Sequence, residues 1–152
     1  MTNSIGTADS LGAPRDGNPL FDCGGAMIRA QCRHLATVVK VSGAIDAANV
    51  DRVGEYCRRF ILPDNGLILD FTEVDCISAQ GMRLIYRLAE DCGALGVQWE
   101  LVVGPAVARV LTITDGEAGF PVAGSVHEAL HHFADVTSAR RRLLLPMLTK
   151  TA

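Results

Sequence analysis

Residues 67–82 read LILDFTEVDCISAQGM, an apolar run followed by a short polar loop and the start of a helix. A short apolar run bounded by turn residues is typical of a strand that is covered on both faces. The helix is predicted because apolar and small residues then recur at three- and four-residue steps, at Gly81, Leu84, Ile85, Leu88 and Cys92. Ser78 is its predicted N-cap, and Cys92-Gly93 is its predicted end.

The opposite face of this helix carries Met82, Arg83, Tyr86 and Arg87. Met82 and Tyr86 are four residues apart, so we expect them to be exposed neighbours with the basic side chains of Arg83 and Arg87 beside them. An exposed pair of this kind beside a loop suits a protein partner. Packing of the helix under another element of the same chain explains the periodicity equally well.

Strands and helices alternate on both sides of this stretch. Upstream, the pattern predicts a hairpin over 27–41, a break at 42–45 and a helix that Asp46 caps and that runs to about Ile61. Downstream, it predicts a strand at 97–103, a helix from Gly104-Pro105, an edge strand at 120–122 and a helix after the capping box at 125–128. We therefore expect one α/β domain, a mixed sheet of four to five strands with about four helices packed against it.

The two ends of the chain differ from its middle. We predict a disordered N-terminal tail at 1–20, the domain at 26–134 and a C-terminal tail at 138–152. Pro146 is expected to end any helix within that last segment. The tail joins three arginines to three leucines at 140–145, and we interpret it as frayed; docking to a membrane surface or to a partner is the alternative.

The composition excludes several classes of function. Apolar residues make up 49% and charged residues 20%, as in ordinary globular proteins. A net charge of −3 argues against nucleic-acid binding, which requires clustered Lys and Arg. The sequence has neither a secretory signal pattern nor an apolar run of about 20 residues, so we predict a cytoplasmic protein.

The cysteines and histidines do not form a recognisable reactive centre. Five cysteines without zinc-type spacing predict no structural disulfide, and Cys23 and Cys32 are the two expected to be reachable. His127 and His131 are four residues apart, but no third ligand is evident, so no metal site is predicted. Because no base is placed beside Ser78 or Cys76, we expect no enzyme activity and no cofactor.

Two segments together resemble a known family. Residues 41–46, Val-Ser-Gly-Ala-Ile-Asp, and residues 69–81, which end in Ser-Ala-Gln-Gly, resemble two motifs of the STAS domain of bacterial anti-sigma factor antagonists. Gly43 and Asp46 match the family's Gly-x-Leu/Ile-Asp turn, and the likeness runs from about Met27 to about Ala134. The resemblance implies a regulatory protein that binds an anti-sigma factor of the ATPase-type serine kinase class.

The second motif differs from the family's motif at the residue that is phosphorylated in the family. The family has Asp-Ser-Ser/Thr-Gly here, so Ser78 stands for the aspartate, Ala79 for the phosphorylated serine and Gln80 for the Ser or Thr. Alanine has no hydroxyl, and the phosphate that would repel a docked partner cannot be added at that position.

Several consequences remain open. We favour constitutive binding of the anti-sigma factor. The alternatives are phosphorylation at Ser78 or Thr72, or a role outside that circuit: a scaffold, a homodimer, a subunit of a transporter or stress-signalling complex, or a small-ligand or nucleotide module. The residues expected to contact the partner are Ser42, Gly43, Asp46, Asn49, Ser78, Ala79, Gln80, Met82, Arg83 and Tyr86.

Overall fold

The computed structural model describes residues 20–114 and 119–151, with side chains as far as Leu145. Its strands are β1 (Phe21–Asp22), β2 (Ala26–Cys32), β3 (Ala36–Ile45), β4 (Gly66–Ile77), β5 (Trp99–Val103) and β6 (Val122–Ala123). Its helices are α1 (Val50–Arg58), α2 (Ala79–Leu95), α3 (Pro105–Thr114) and α4 (Val126–Thr151). The predicted tail at 1–20 lies almost wholly outside the described residues.

The strands form one mixed sheet in the order of the chain, β1 to β6. β1, β2 and β3 pair antiparallel, whereas β3 to β6 pair parallel. The predicted α/β class, hairpin and parallel crossovers are therefore confirmed. The described residues hold six strands rather than four or five, because two-residue strands add to both edges.

Each face of the sheet has its own helices. Leu67, Leu69 and Phe71 of β4 belong to a large core with α1, α2 and α3, whereas Ile68 belongs to a smaller core with α4. Alternating side chains of one strand point to opposite faces, so the apolar run of β4 is buried on both sides as predicted. α4 is seated closely on the start of this strand, since a Cβ added at Gly66 would lie 2.4 Å from the Phe133 ring.

Four predicted boundaries are wrong. α1 begins at Val50 with Asn49 at its N-cap, not at Asp46, and it ends at Arg58 and not at about Ile61. β3 continues through Gly43 to Ile45 instead of breaking, because two irregularities in its pairing with β4 absorb the bend. α2 passes Gly93 and ends at Leu95, where Gly96 adopts the left-handed conformation with φ 66°. α4 passes Pro146 and reaches Thr151. A proline inside a helix removes one backbone hydrogen bond and bends the helix without necessarily ending it.

Candidate functional site

The two motifs identified in the sequence lie side by side. The ends of β3 and β4 are paired, with Ala44 opposite Cys76 and Ile45 opposite Ile77. The backbone N–H of Ser78 then donates to the carbonyl oxygen of Ile45 at 2.9 Å. The turn after β3 and the loop before α2 therefore form one continuous surface at the carboxyl ends of two parallel strands.

Ser78 begins α2 in the predicted way. Its Oγ accepts a hydrogen bond from the backbone N–H of Gly81 at 3.2 Å, which is the geometry of an N-cap. Ser78 is half-buried, whereas Ala79 and Gln80 are exposed. The residue at the family's phosphorylation position is thus accessible and has no acceptor oxygen.

Gly81 fixes the approach of α2 to the two strand ends. A Cβ added there would lie 2.6 Å from Ile77 Cγ1 and 3.0 Å from Ile45 Cγ2, so a larger residue would push the helix away. Gly43 has a comparable structural role, because its φ is +91° and an added Cβ would lie 2.4 Å from the carbonyl oxygen of Gly25. Both glycines therefore determine how closely the neighbouring segments pack at this surface.

The turn after β3 is held by two polar side chains. The exposed Asp46 carboxylate accepts from the backbone N–H groups of Ala48 at 2.9 Å and Asn49 at 3.2 Å. Asn49 is only 1% exposed and is directed inward. Its Nδ2 donates to the carbonyl oxygens of Gly24 and Ala44, and its Oδ1 accepts from the Asp46 N–H. Asn49 was expected to contact the partner, but it is enclosed and ties three backbone segments together.

Fewer side chains on the outward face of α2 are exposed than the sequence analysis predicted. Met82 is 5% exposed and belongs to the main core, so an exposed Met82–Tyr86 pair is wrong. The reason is that α2 packs against both the sheet and α1, and this covers side chains at the margin of its apolar stripe. Tyr86 is 45% exposed, with its ring 4.8 Å from that of Phe120. Arg83 and Arg87 are exposed.

A depression of about 260 Å³ separates the beginnings of α1 and α2. It is lined by Ala47, Val50 and Asp51 at the start of α1, and by Gln80, Arg83, Leu84 and Arg87 of α2. We use the name docking surface for the exposed residues around it: Asp46, Ala47, Asp51, Ala79, Gln80, Arg83 and Arg87. Of the residues named from the sequence, Ser42, Gly43, Asn49 and Met82 lie in strands or in the interior and outside this surface. Tyr86 lies on its flank, and Ser78 lies beneath its edge.

The cysteines are all free thiols, and their exposure differs from the prediction. Cys32 and Cys76 are exposed, but Cys23, expected to be reachable, is buried because its side chain belongs to the main core. Burial raises the pKa of the Cys57 thiol to about 12 and that of Cys92 to about 11. Among the described residues, no group of three His, Cys, Asp or Glu side chains is placed to hold a metal ion.

The three histidines of α4 are exposed, and one of them has a buried carboxylate as its partner. His132 Nδ1 lies 3.0 Å from Oε1 of Glu100, a residue of β5 that is 7% exposed. This hydrogen bond raises the pKa of His132. Spacing in the sequence does not indicate the contact, because the two residues are 32 positions apart.

The sequence profile of the STAS domain matches residues 27–129. The chain belongs to the STAS domain family. Osmosensory protein A of Mycobacterium tuberculosis is 46% identical to it over 158 aligned positions that cover 100% of both chains. None of the helices in the described ranges combines the length and the apolar character that crossing a bilayer requires.

Solved STAS structures have the same fold. An anti-sigma factor antagonist from Mycobacterium paratuberculosis superimposes with a TM-score of 0.65 at 21% identity, covering 72% of this chain and 94% of the other. The anti-sigma factor antagonist SpoIIAA in its unphosphorylated form gives 0.60 at 14%, covering 71% and 96%. RsbS of Moorella thermoacetica gives 0.61 at 17%, covering 73% and 97%. At these identities the likeness establishes the fold.

Proposed function

We propose that this STAS domain is an anti-sigma factor antagonist that binds an ATPase-type anti-sigma kinase through the docking surface. The main observation in support is that the two turns are adjacent, so that the exposed residues Ala79 and Gln80 lie beside the start of α1. Membership of the family and the fold shared with known antagonists support this role. The protein then acts in the cytoplasm, where its partner and the sigma factor operate.

We further propose that binding is constitutive with respect to phosphorylation. Ala79 has no acceptor oxygen, and the two hydroxyl groups named from the sequence as alternative acceptors both make local hydrogen bonds. The Ser78 hydroxyl caps α2, and the Thr72 hydroxyl donates to Asp70 Oδ1 at 2.7 Å. Modification of either side chain first requires a local hydrogen bond to break, so the usual charge-based release is absent.

The experiment is calorimetric titration of the purified chain with each ATPase-type anti-sigma factor encoded in the same genome. We expect at least one complex, and we expect Ala79→Glu to weaken it about 100-fold because a charge enters a desolvated contact. The variant remains folded, since a carboxylate in the first turn of a helix is stabilising by about 0.3–1 kcal/mol. Arg29→Ala, on the sheet face opposite the main core, lowers the net charge by one unit as Ala79→Glu does, and it is the matched charge control. Absence of any complex, or equal loss in both variants, contradicts the proposal.

A role in osmotic signalling is a second, compatible proposal. It is favoured by the name of the 46% identical relative, which covers the whole of both chains. In a strain that lacks the gene, we expect a sigma-dependent reporter to lose its response to a salt step. The wild-type gene restores the response and the Ala79→Glu gene does not. An unaltered response in the deletion strain contradicts an osmotic role.

A further inference from the structure

Two arginines of the docking surface have no polar partner among the residues that the structure describes. Arg83 and Arg87 are one helical turn apart on α2, so their Cβ atoms are neighbours. Among residues 20–114 and 119–145, neither guanidinium takes part in a hydrogen bond or an ion pair. Arg58 of α1, by contrast, is bound to Asp91 of α2 at 3.2 Å. The guanidinium groups at 83 and 87 are therefore free to meet an external anion.

The depression beside these arginines has apolar as well as polar lining. Ala47 and Val50 line it at the start of α1, and Leu84, which is 3% exposed, lines it from α2. A volume of about 260 Å³ accommodates one or two side chains. The site therefore offers hydrophobic contact and positive charge within a single recess.

The charges of the docking surface are separated by element. Asp46 and Asp51 lie at the start of α1, whereas Arg83 and Arg87 lie on α2, whose first turn contains no acidic residue. Neither aspartate forms an ion pair with either arginine. The charge that complements this side of the docking surface is therefore negative.

We propose that the docking surface receives an acidic segment of the partner, with an apolar side chain in the depression and flanking carboxylates on Arg83 and Arg87. This inference rests on the proposed function and names the chemistry of the partner. It also gives the physical reason why a negative charge at position 79 releases the complex, since that charge would face the carboxylates of the same segment.

The test compares charge reversal with charge retention in the anti-sigma complex. We expect the Arg83→Glu/Arg87→Glu double variant to bind about 100-fold more weakly. Arg83→Lys/Arg87→Lys keeps the charge, and we expect a loss of less than about tenfold. Arg29→Glu/Arg33→Glu changes the net charge by the same amount on β2 and the turn that follows it, so it is the control for net charge and should bind as the wild type does. If Ala79→Glu abolishes binding while the double Glu variant binds normally, the acidic-segment inference is overturned and the proposed function stands.

A peptide titration tests the inference without the natural partner. The probe is a pentapeptide with leucine between two pairs of glutamates, and its control has leucine between two pairs of lysines. We expect the acidic peptide to shift the backbone amide signals of Gln80, Leu84 and Ala47 in ¹⁵N-labelled protein, and the double Glu variant to remove the shifts. Shifts with no anti-sigma complex would support the inference and reject the proposed function. No shifts, or equal shifts with the lysine peptide, would overturn the inference.

Discussion

Asn49 is the residue whose substitution best separates a structural role from a binding role. Its side chain makes three hydrogen bonds: Nδ2 donates to Gly24 O at 3.0 Å and to Ala44 O at 2.8 Å, and Oδ1 accepts from Asp46 N–H at 3.0 Å. The net contribution of one such bond is about 1 kcal/mol, so Asn49→Ala should lower the free energy of unfolding by about 3 kcal/mol. For a chain of this size, that corresponds to a fall of about 9 °C in melting temperature.

Asn65→Ala is the matched control. The Asn65 amide makes one side-chain bond, to Thr37 Oγ1 at 2.8 Å, so the same substitution should lower stability by about 1 kcal/mol. Urea unfolding followed by circular dichroism measures both variants. The structural role assigned to the three Asn49 hydrogen bonds is contradicted if Asn49→Ala is no less stable than Asn65→Ala. Near wild-type stability combined with lost binding of the anti-sigma factor would return Asn49 to the partner interface.

Three further predictions concern α4 and the thiols. The His132 pKa is raised in the folded state. Its contact with Glu100 therefore stabilises the folded protein at pH values below the ordinary histidine pKa, and this stabilisation is lost as the pH rises through the raised value. The melting temperature should therefore fall from about pH 6 to about pH 8, and His132→Gln should remove that part of the fall; an unchanged slope contradicts it. Gly66→Ala should lower the melting temperature because its Cβ meets Phe133, and much less so in a Phe133→Ala background; equal effects in both backgrounds would show that α4 is not seated there. In native protein, iodoacetamide should label Cys32 and Cys76 and spare the buried cysteines, and rapid labelling of all five would contradict the burial.

Local patterns in the sequence were sufficient for β4 and the start of α2. A short apolar run predicted a strand buried on both faces, and Leu67 and Ile68 indeed enter separate cores. Ser78 was predicted as an N-cap from its position alone, because capping depends on residues within one turn. These features require no knowledge of distant parts of the chain.

Contacts between distant residues were not predictable from spacing. Asn49 was expected to contact the partner, but its amide bonds to Gly24, which is 25 positions away. Met82 was predicted to be exposed because it lies outside the periodic apolar stripe. Periodicity identifies one face of a helix, but it does not show which side chains beside that face are covered by other elements. The depression between α1 and α2 arises from the packing of two helices, and no single segment encodes it.

The most direct test of a docking surface without a phosphorylation switch is a dissociation measurement after ATP is added. The preformed complex with the anti-sigma kinase receives Mg-ATP, and both release and phosphate incorporation are followed over time. We expect the wild-type chain to stay bound and unlabelled, whereas the Ala79→Ser variant should become phosphorylated and dissociate. Labelling and release of the wild-type chain would contradict this expectation, because another side chain would then serve as the acceptor.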